Sequence, residues 1–268
     1  MSESLSLRFL YRTACGRALL KALVKPGLSR FVGRFLDSPC SKPLIGPFRR
    51  RNGIDMRGVI VPEGGFLSFN SFFCRQRSDL SVDRDPRYLV SPCDGLLSVF
   101  PIGEDSRFAI KHTDYSLEEL LQDPALAGEF RDGLALIFRL TPAHYHRYIY
   151  PEDGVVLREK KIPGELHTVR PIATEQVPVY VRNSREYALL QSENLGSLVQ
   201  MEVGALLVGR ITNLPTSGFV TRGQERGYFE FGGSTIVLLL RKGTVKMLPA
   251  FSEEEIPVCL GQRIGTKQ

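Results

Sequence analysis

The chain has 268 residues, 43% hydrophobic and 24% charged; that is enough apolar material for a sizeable core in one large domain or two modest ones, and it excludes a mainly disordered polymer. No apolar run approaches the ~20 residues of a membrane-crossing helix, and a start broken by Arg8, Arg12 and Arg17 is not expected to be a cleaved secretion signal. The net charge of +6 is uneven: residues 1–51 hold eleven Lys and Arg against Glu3 and Asp37, while the remainder is mildly acidic.

That basic segment predicts helices. Arg17, Lys21 and Lys25 recur at i, i+4 spacing among Ala18, Leu19, Leu20, Ala22, Leu23 and Val24, until Pro26 interrupts. Arg30 and Arg34 repeat the spacing beside Phe31, Val32, Phe35 and Leu36. Arg8 and Arg17 are nine residues apart, on opposite sides of a straight helix, so one basic face would need a kink near Gly16. Such a helix suits an anionic bilayer at ~1 kcal/mol per Lys or Arg; packing on the chain's own body, or binding nucleic acid, are the other readings. Residues 38–65, rich in Pro and Gly, are expected to form turns and short strands.

Past that point, strands are expected over Tyr88–Val90, Leu96–Pro101, Leu134–Leu140, Val155–Lys160, Val177–Val181, Leu198–Val203 and Ile236–Leu240. One helix is expected at Ser116–Leu121, where Ser116 and Glu119 have capping-box spacing. The fold class is therefore α+β, a β-rich body behind a basic helical N-terminal segment. Glycine-rich phosphate loops are absent, and five scattered cysteines without a Cys-x-x-Cys pair are expected to remain reduced in the cytoplasm.

Three places carry candidate chemistry. Asp94 lies in Ser91-Pro92-Cys93-Asp94-Gly95 between two apolar runs, which taken alone is an ordinary Asp-Gly turn. His144 and His146 alternate in Ala143-His144-Tyr145-His146-Arg147, so an extended segment aims them the same way. No partner cluster at zinc spacing accompanies them, and no metal is expected. Gly232-Gly233-Ser234-Thr235 leads into a buried run: two glycines clear the space around one peptide carbonyl, and a serine hydroxyl follows. A bulge before a strand is the plainer alternative.

Together with Ser68-Phe69-Asn70-Ser71-Phe72-Phe73-Cys74-Arg75, Gly164-Glu165-Leu166-His167-Thr168-Val169, Glu202-Val203-Gly204-Ala205 and Val208-Gly209, these motifs follow one another from about Arg12 to Leu240. In that order and spacing the chain resembles the bacterial phosphatidylserine decarboxylase proenzymes.

The resemblance implies that Ser234 attacks the Gly233 carbonyl, so that the chain cleaves itself between them and Ser234 becomes a covalent pyruvoyl group. It implies Ser234 as nucleophile, His146 as base and Asp94 as the carboxylate orienting it, with His144 and His167 as further pocket candidates. The pyruvoyl group would then decarboxylate phosphatidylserine to phosphatidylethanolamine and CO2 through a Schiff base. Chains 1–233 and 234–268 would stay associated, with a homo-oligomer left open. A diacyl substrate makes an anionic membrane surface the partner, with no nucleic acid, and implies a peripheral protein at the cytoplasmic face of the cell membrane. On this basis residues 1–60 form the membrane-associating segment and 61–268 the decarboxylase domain. The chain departs from the pattern at His144, where many relatives have an acidic residue, and at Ile149, where many have a second histidine. The alternatives are a non-processing β-rich lipid-binding protein and a pyruvoyl decarboxylase of another serine phospholipid.

Overall fold

A computed structural model describes residues 9–11, 13–24, 26–110, 113–174, 177–205, 210–216, 218–231 and 234–268. Its N-terminal part is helical: α1 (Ala14–Leu23), α2 (Pro26–Asp37), a 3-10 turn (Pro39–Leu44) and α3 (Ile45–Asn52). The chain then runs through β1 (Val59–Ile60), α4 (Phe69–Phe73), β2 (Gln76–Arg77), β3 (Tyr88–Val90), β4 (Gly95–Pro101), β5 (Arg107–Ile110), β6 (Thr113–Ser116), α5 (Leu117–Leu121) and α6 (Pro124–Gly128). It continues with β7 (Leu134–Leu140), β8 (Arg147–Ile149), β9 (Gly154–Ile162), α7 (Pro171–Thr174), α8 (Val179–Arg182), β10 (Arg185–Ser192) and β11 (Gly196–Val203). The last elements are β12 (Ile211–Asn213), β13 (Phe219–Val220), β14 (Glu225–Phe229), β15 (Ser234–Leu240), β16 (Val245–Met247), β17 (Ile256–Val258) and β18 (Arg263–Lys267). The class is α+β and β-rich.

An antiparallel sheet in the order β13-β9-β10-β11-β15-β7-β4-β17 organises the body. Two three-stranded sheets, β12-β14-β8 and β16-β18-β3, and two two-stranded sheets, β1-β2 and β5-β6, accompany it. All seven residues of β15 are buried, and both its edges are paired, from Val203↔Thr235 to Leu198↔Leu240 on β11 and from Ser234↔Leu140 to Leu240↔Leu134 on β7. Its side chains alternate between two cores. Val237 and Leu239 meet Tyr11, Leu20, Val24, Tyr115 and Tyr180 under the helices. Ile236, Leu238 and Leu240 meet Tyr148, Phe229 and Leu89 under the smaller sheets. The period of two puts Ser234 on the second face. Residues 234–268 thus supply the inner strand β15, together with β17 on β4 and β18 on β3. The Lys267 ammonium also pairs with buried Glu152, which Arg222 holds at 2.9 Å.

Most expected strands coincide with β3, β4, β7, β9, β11 and β15, and the Ser116 hydroxyl caps α5 by accepting from the Glu119 N–H. Val177–Val181 is a correction: Pro178 cannot donate to a ladder, and a helical turn, α8, buries Val179 and Tyr180 instead. Residues 38–65 also hold more helix than expected. Pro47 falls in the first turn of α3, where its missing N–H costs nothing, and Gly53 ends the helix with a left-handed φ of 59°. The corner between residues 9–11 and α1 falls at Thr13, whose hydroxyl donates to Phe9 O at 2.8 Å and accepts from Gly16 N–H at 2.9 Å. Only glycine fits at position 16, since a Cβ would lie 1.9 Å from Phe9 O.

Among the described residues no helix is long and apolar enough to cross a membrane. The N-terminal helices nevertheless leave Leu19 and Phe31 50% and 70% exposed, with Lys21 and Arg34 also at the surface.

Candidate active site

Ser234 opens β15 and is 1% exposed, and its hydroxyl has no hydrogen-bond partner. A buried hydroxyl left unpaired costs free energy, so it marks a position held for a purpose other than stability. Gly232 and Gly233 lie outside the described residues.

The segment leading to them is pinned by the helical cap. Phe231 packs edge-on against Phe48 of α3 at 5.7 Å and against Phe69 and Phe73 of α4 at 4.9 and 5.2 Å. Its N–H donates to Asn70 Oδ1 at 3.2 Å, and the Asn70 amide donates in turn to Asp37 at 2.7 Å and Glu230 at 3.5 Å. Helix α4 can present these groups because Ser68 and Ser71 form a reciprocal capping box at its start. Asn70 and Phe73 stand in a motif visible in the sequence, but a positioning role has no signal there.

His146 is fully buried, with the Phe73 ring 4.1 Å from its own. Its Nδ1 lies 2.9 Å from the carbonyl oxygen of His144. A carbonyl only accepts, so Nδ1 carries the proton and Nε2 presents a bare lone pair. That Nε2 is buried without a partner. Burial, opposed by the His144 carbonyl and reinforced by the nearby Arg75 charge, pushes the imidazole pKa down to about 3. The ring is therefore a neutral acceptor throughout the physiological range.

Asp94 sits elsewhere in this constellation. Its Oδ1 accepts from the Leu260 N–H at 2.8 Å, and its charge acts on the His144 ring. The structure thus brings Asp94 towards His144, and the partner at Nδ1 of His146 is a backbone carbonyl rather than the expected carboxylate. His144 Nδ1 accepts from the Thr141 N–H at 3.0 Å, which leaves the proton on Nε2. Burial lowers the His144 pKa, against the pull of Asp94.

His167 belongs to the opposite side of the sheet end. Its Nε2 lies 2.9 Å from Glu165 and its Nδ1 3.3 Å from the Tyr11 hydroxyl. Asn183 donates to the carbonyls of His167 and Gly204 at 2.8 and 2.7 Å. Gly204 follows Val203, whose partner on β15 is Thr235. The site is therefore flanked by histidines from two loops, and His146 contributes a buried ring nitrogen without a partner. Glu202, in the Glu-Val-Gly-Ala motif, is taken up by a bidentate pair with Arg226 at 2.9 and 3.1 Å. Among the described residues no cluster of three His, Cys, Asp or Glu could hold a metal.

A family model described as phosphatidylserine decarboxylase matches residues 69–266. The chain belongs to the phosphatidylserine decarboxylase family. It is 40% identical over 267 residues to phosphatidylserine decarboxylase proenzyme 2 of Clostridium acetobutylicum, covering 97% of this chain and 91% of the relative. It is 38% identical over 269 residues to the phosphatidylserine decarboxylase proenzyme of Clostridium perfringens (96% and 91% covered), and 35% over 274 residues to that of Fusobacterium nucleatum (98% and 91%). The family model begins at residue 69, whereas the matches to these relatives cover 96–98% of the chain.

Proposed function

We propose that the protein is a self-processing, pyruvoyl-dependent decarboxylase of phosphatidylserine. The observation that carries this is the unpartnered, buried Ser234 hydroxyl at the head of β15, in a chain of this family. His146 Nε2 takes the hydroxyl proton as Oγ attacks the Gly233 carbonyl, and the amide becomes an ester. Asp94 acts at one remove, through His144, whose carbonyl fixes the His146 tautomer. Loss of the Ser234 α-proton expels residues 1–233 as a carboxylate. The dehydroalanine left at position 234 takes up water and releases ammonia to give a pyruvoyl group.

The fit of that group rests on the same features: a side chain that spends no hydrogen bond on the fold, at the end of a strand bonded on both edges. When formed, a pyruvoyl group supplies an electron sink for the pair left by CO2. The remaining work falls to the chain. The aromatic cap of Phe48, Phe69, Phe73 and Phe231 excludes water.

A diacyl lipid leaves a bilayer at a cost of ~0.8 kcal/mol per buried CH2, so the enzyme must work at the surface. Residues 1–60 are proposed as that docking segment, with exposed Leu19 and Phe31 beside Lys21 and Arg34, at the cytoplasmic face of the membrane. Within it, Lys25 lies outside the described residues, as do the side chains of Arg17 and Arg30.

Denaturing mass spectrometry tests the reading. Wild-type protein should give two chains, the shorter with a hydroxylamine-reactive carbonyl, and Ser234→Ala should give one. An intact 268-residue wild-type mass would instead favour a lipid-binding protein that never processes.

A further inference from the structure

Four arginines are buried among the described residues, and three of them have short hydrogen bonds to carboxylates or carbonyls. Arg226 pairs with Glu202 and with Glu159 at 2.8 Å. Arg222 pairs with Glu152 and donates to Asp85 O at 2.6 Å. Arg185 donates to four backbone carbonyls, those of Glu119, Leu120, Val181 and Asn183, at 2.7–3.0 Å.

Arg75 is the exception. It is 5% exposed, and its one hydrogen bond is a long 3.5 Å contact from Nη1 to Phe73 O. The face of its guanidinium lies 5.4 Å from the Phe72 ring centre, and Nε is buried with no partner. No carboxylate stands within 4.0 Å of it among the described residues, whereas Arg222 and Arg226 each reach one at 2.9 Å and Arg185 has its four carbonyls. A guanidinium remains charged under all ordinary conditions, so burying it with its donors idle is costly unless an anion arrives.

Its place in the fold says where that anion comes from. Arg75 follows Phe73 by two residues, and the Phe73 ring touches both His146 and Phe231. Its charge is felt by the His146 imidazole, and the Asp94 charge is felt by Arg75. The idle cation thus adjoins the candidate base.

We propose that Arg75 is the anion-binding residue of this site and receives the phosphodiester of the serine phospholipid, leaving the substrate carboxylate without a cation. The choice between the two substrate anions follows from the chemistry. The carboxylate loses its charge as CO2 departs, so a buried cation paired with it would stabilise the bound substrate more than the transition state and slow the reaction. The phosphodiester keeps its charge throughout. A planar fork of donors matches two phosphate oxygens, and binding there holds the amine and carboxylate at a fixed reach. This inference rests on the decarboxylase reading for its substrate, but its binding step needs no turnover.

The test uses processed enzyme and dihexanoylphosphatidylglycerol, a short-chain phosphodiester with neither amine nor carboxylate, titrated below micelle formation by calorimetry. The expected result is binding to wild type, weakened about tenfold or more in Arg75→Gln and about three- to tenfold in Arg75→Lys, with no binding of uncharged dihexanoylglycerol. With dihexanoylphosphatidylserine, KM should rise about tenfold in Arg75→Gln while kcat stays within about threefold. Equal affinity in wild type and Arg75→Gln overturns the proposal, as does a fall in kcat at constant KM, which would move Arg75 to the reacting carboxylate. Should Arg75→Gln fail to fold by circular dichroism, Arg75→Lys decides: threefold or greater weakening supports the assignment and identical affinity removes it. An uncut wild-type chain that binds the probe through Arg75 would sink the decarboxylase reading and leave this one standing.

Discussion

A histidine held neutral by burial makes the fold sensitive to acid in a way that can be isolated. The perturbation is His146→Gln, made in the Ser234→Ala chain so that every sample is one polypeptide. In the unfolded chain the imidazole titrates near 6.5; in the folded chain burial holds it at about 3. Because the folded pKa is the lower, the unfolded state binds the extra proton first, and stability falls as pH drops below the unfolded value. Between pH 7.5 and 4.5 that one group removes about 2.7 kcal/mol, and the loss levels off only below the folded pKa. Urea unfolding at both pH values measures it: the drop in the parent should exceed the drop in His146→Gln by about 2–3 kcal/mol. Carboxylates shared by the two chains cancel in the comparison. Equal drops, within about 0.5 kcal/mol, would mean that the imidazole is solvated or charged in the fold, and the free-base assignment for Nε2 would fall with it.

Other consequences can be checked separately. Glu202→Gln breaks the bidentate pair with fully buried Arg226 and should cost about 3–5 kcal/mol in thermal or urea unfolding, with no new exposure of the site. Gly133→Ala would set a Cβ 2.0 Å from Leu240 O, so it should loosen the far end of the β7–β15 pair and destabilise by about 1–3 kcal/mol. After processing, residues 234–268 should co-elute with 1–233 in native size exclusion and separate only in denaturant, since they hold β15 between β11 and β7. Replacing Leu19 and Phe31 with serine should cut binding to anionic vesicles about tenfold or more in co-sedimentation while leaving the melting temperature unchanged, because both are already exposed.

The β-rich body was legible because its strands are short β-branched runs with clear punctuation, and Tyr88–Val90 and Leu134–Leu140 match β3 and β7 end to end. Where the sequence misled, a local signal lost to packing. Val177–Val181 looks like a strand, but Pro178 and the pull of Val179 and Tyr180 into the core wind it into α8. Pro47 and Gly46 look like a turn, yet both fall in the first turn of α3, where they are tolerated. Ser234, His146 and Asp94 stood out because their residue types and motifs point to chemistry. Their mutual arrangement did not, because the partner of His146 Nδ1 is a backbone carbonyl, which any residue at position 144 would supply. Arg75 was visible as the end of a motif, but that it lacks a counter-ion is a property of packing alone.

The position of Ser234 at the first rung of an inner strand has a consequence for the life of the molecule. A loosely held cofactor can diffuse away, be exchanged or be replenished. A carbonyl made from the leading residue of β15 could do none of these, since it would be part of the backbone of a strand already paired on both edges. Each polypeptide would carry a single irreplaceable warhead, made once, and any side reaction that spends it would retire the whole protein. The rate at which cells renew this activity would then be set by synthesis of new chains.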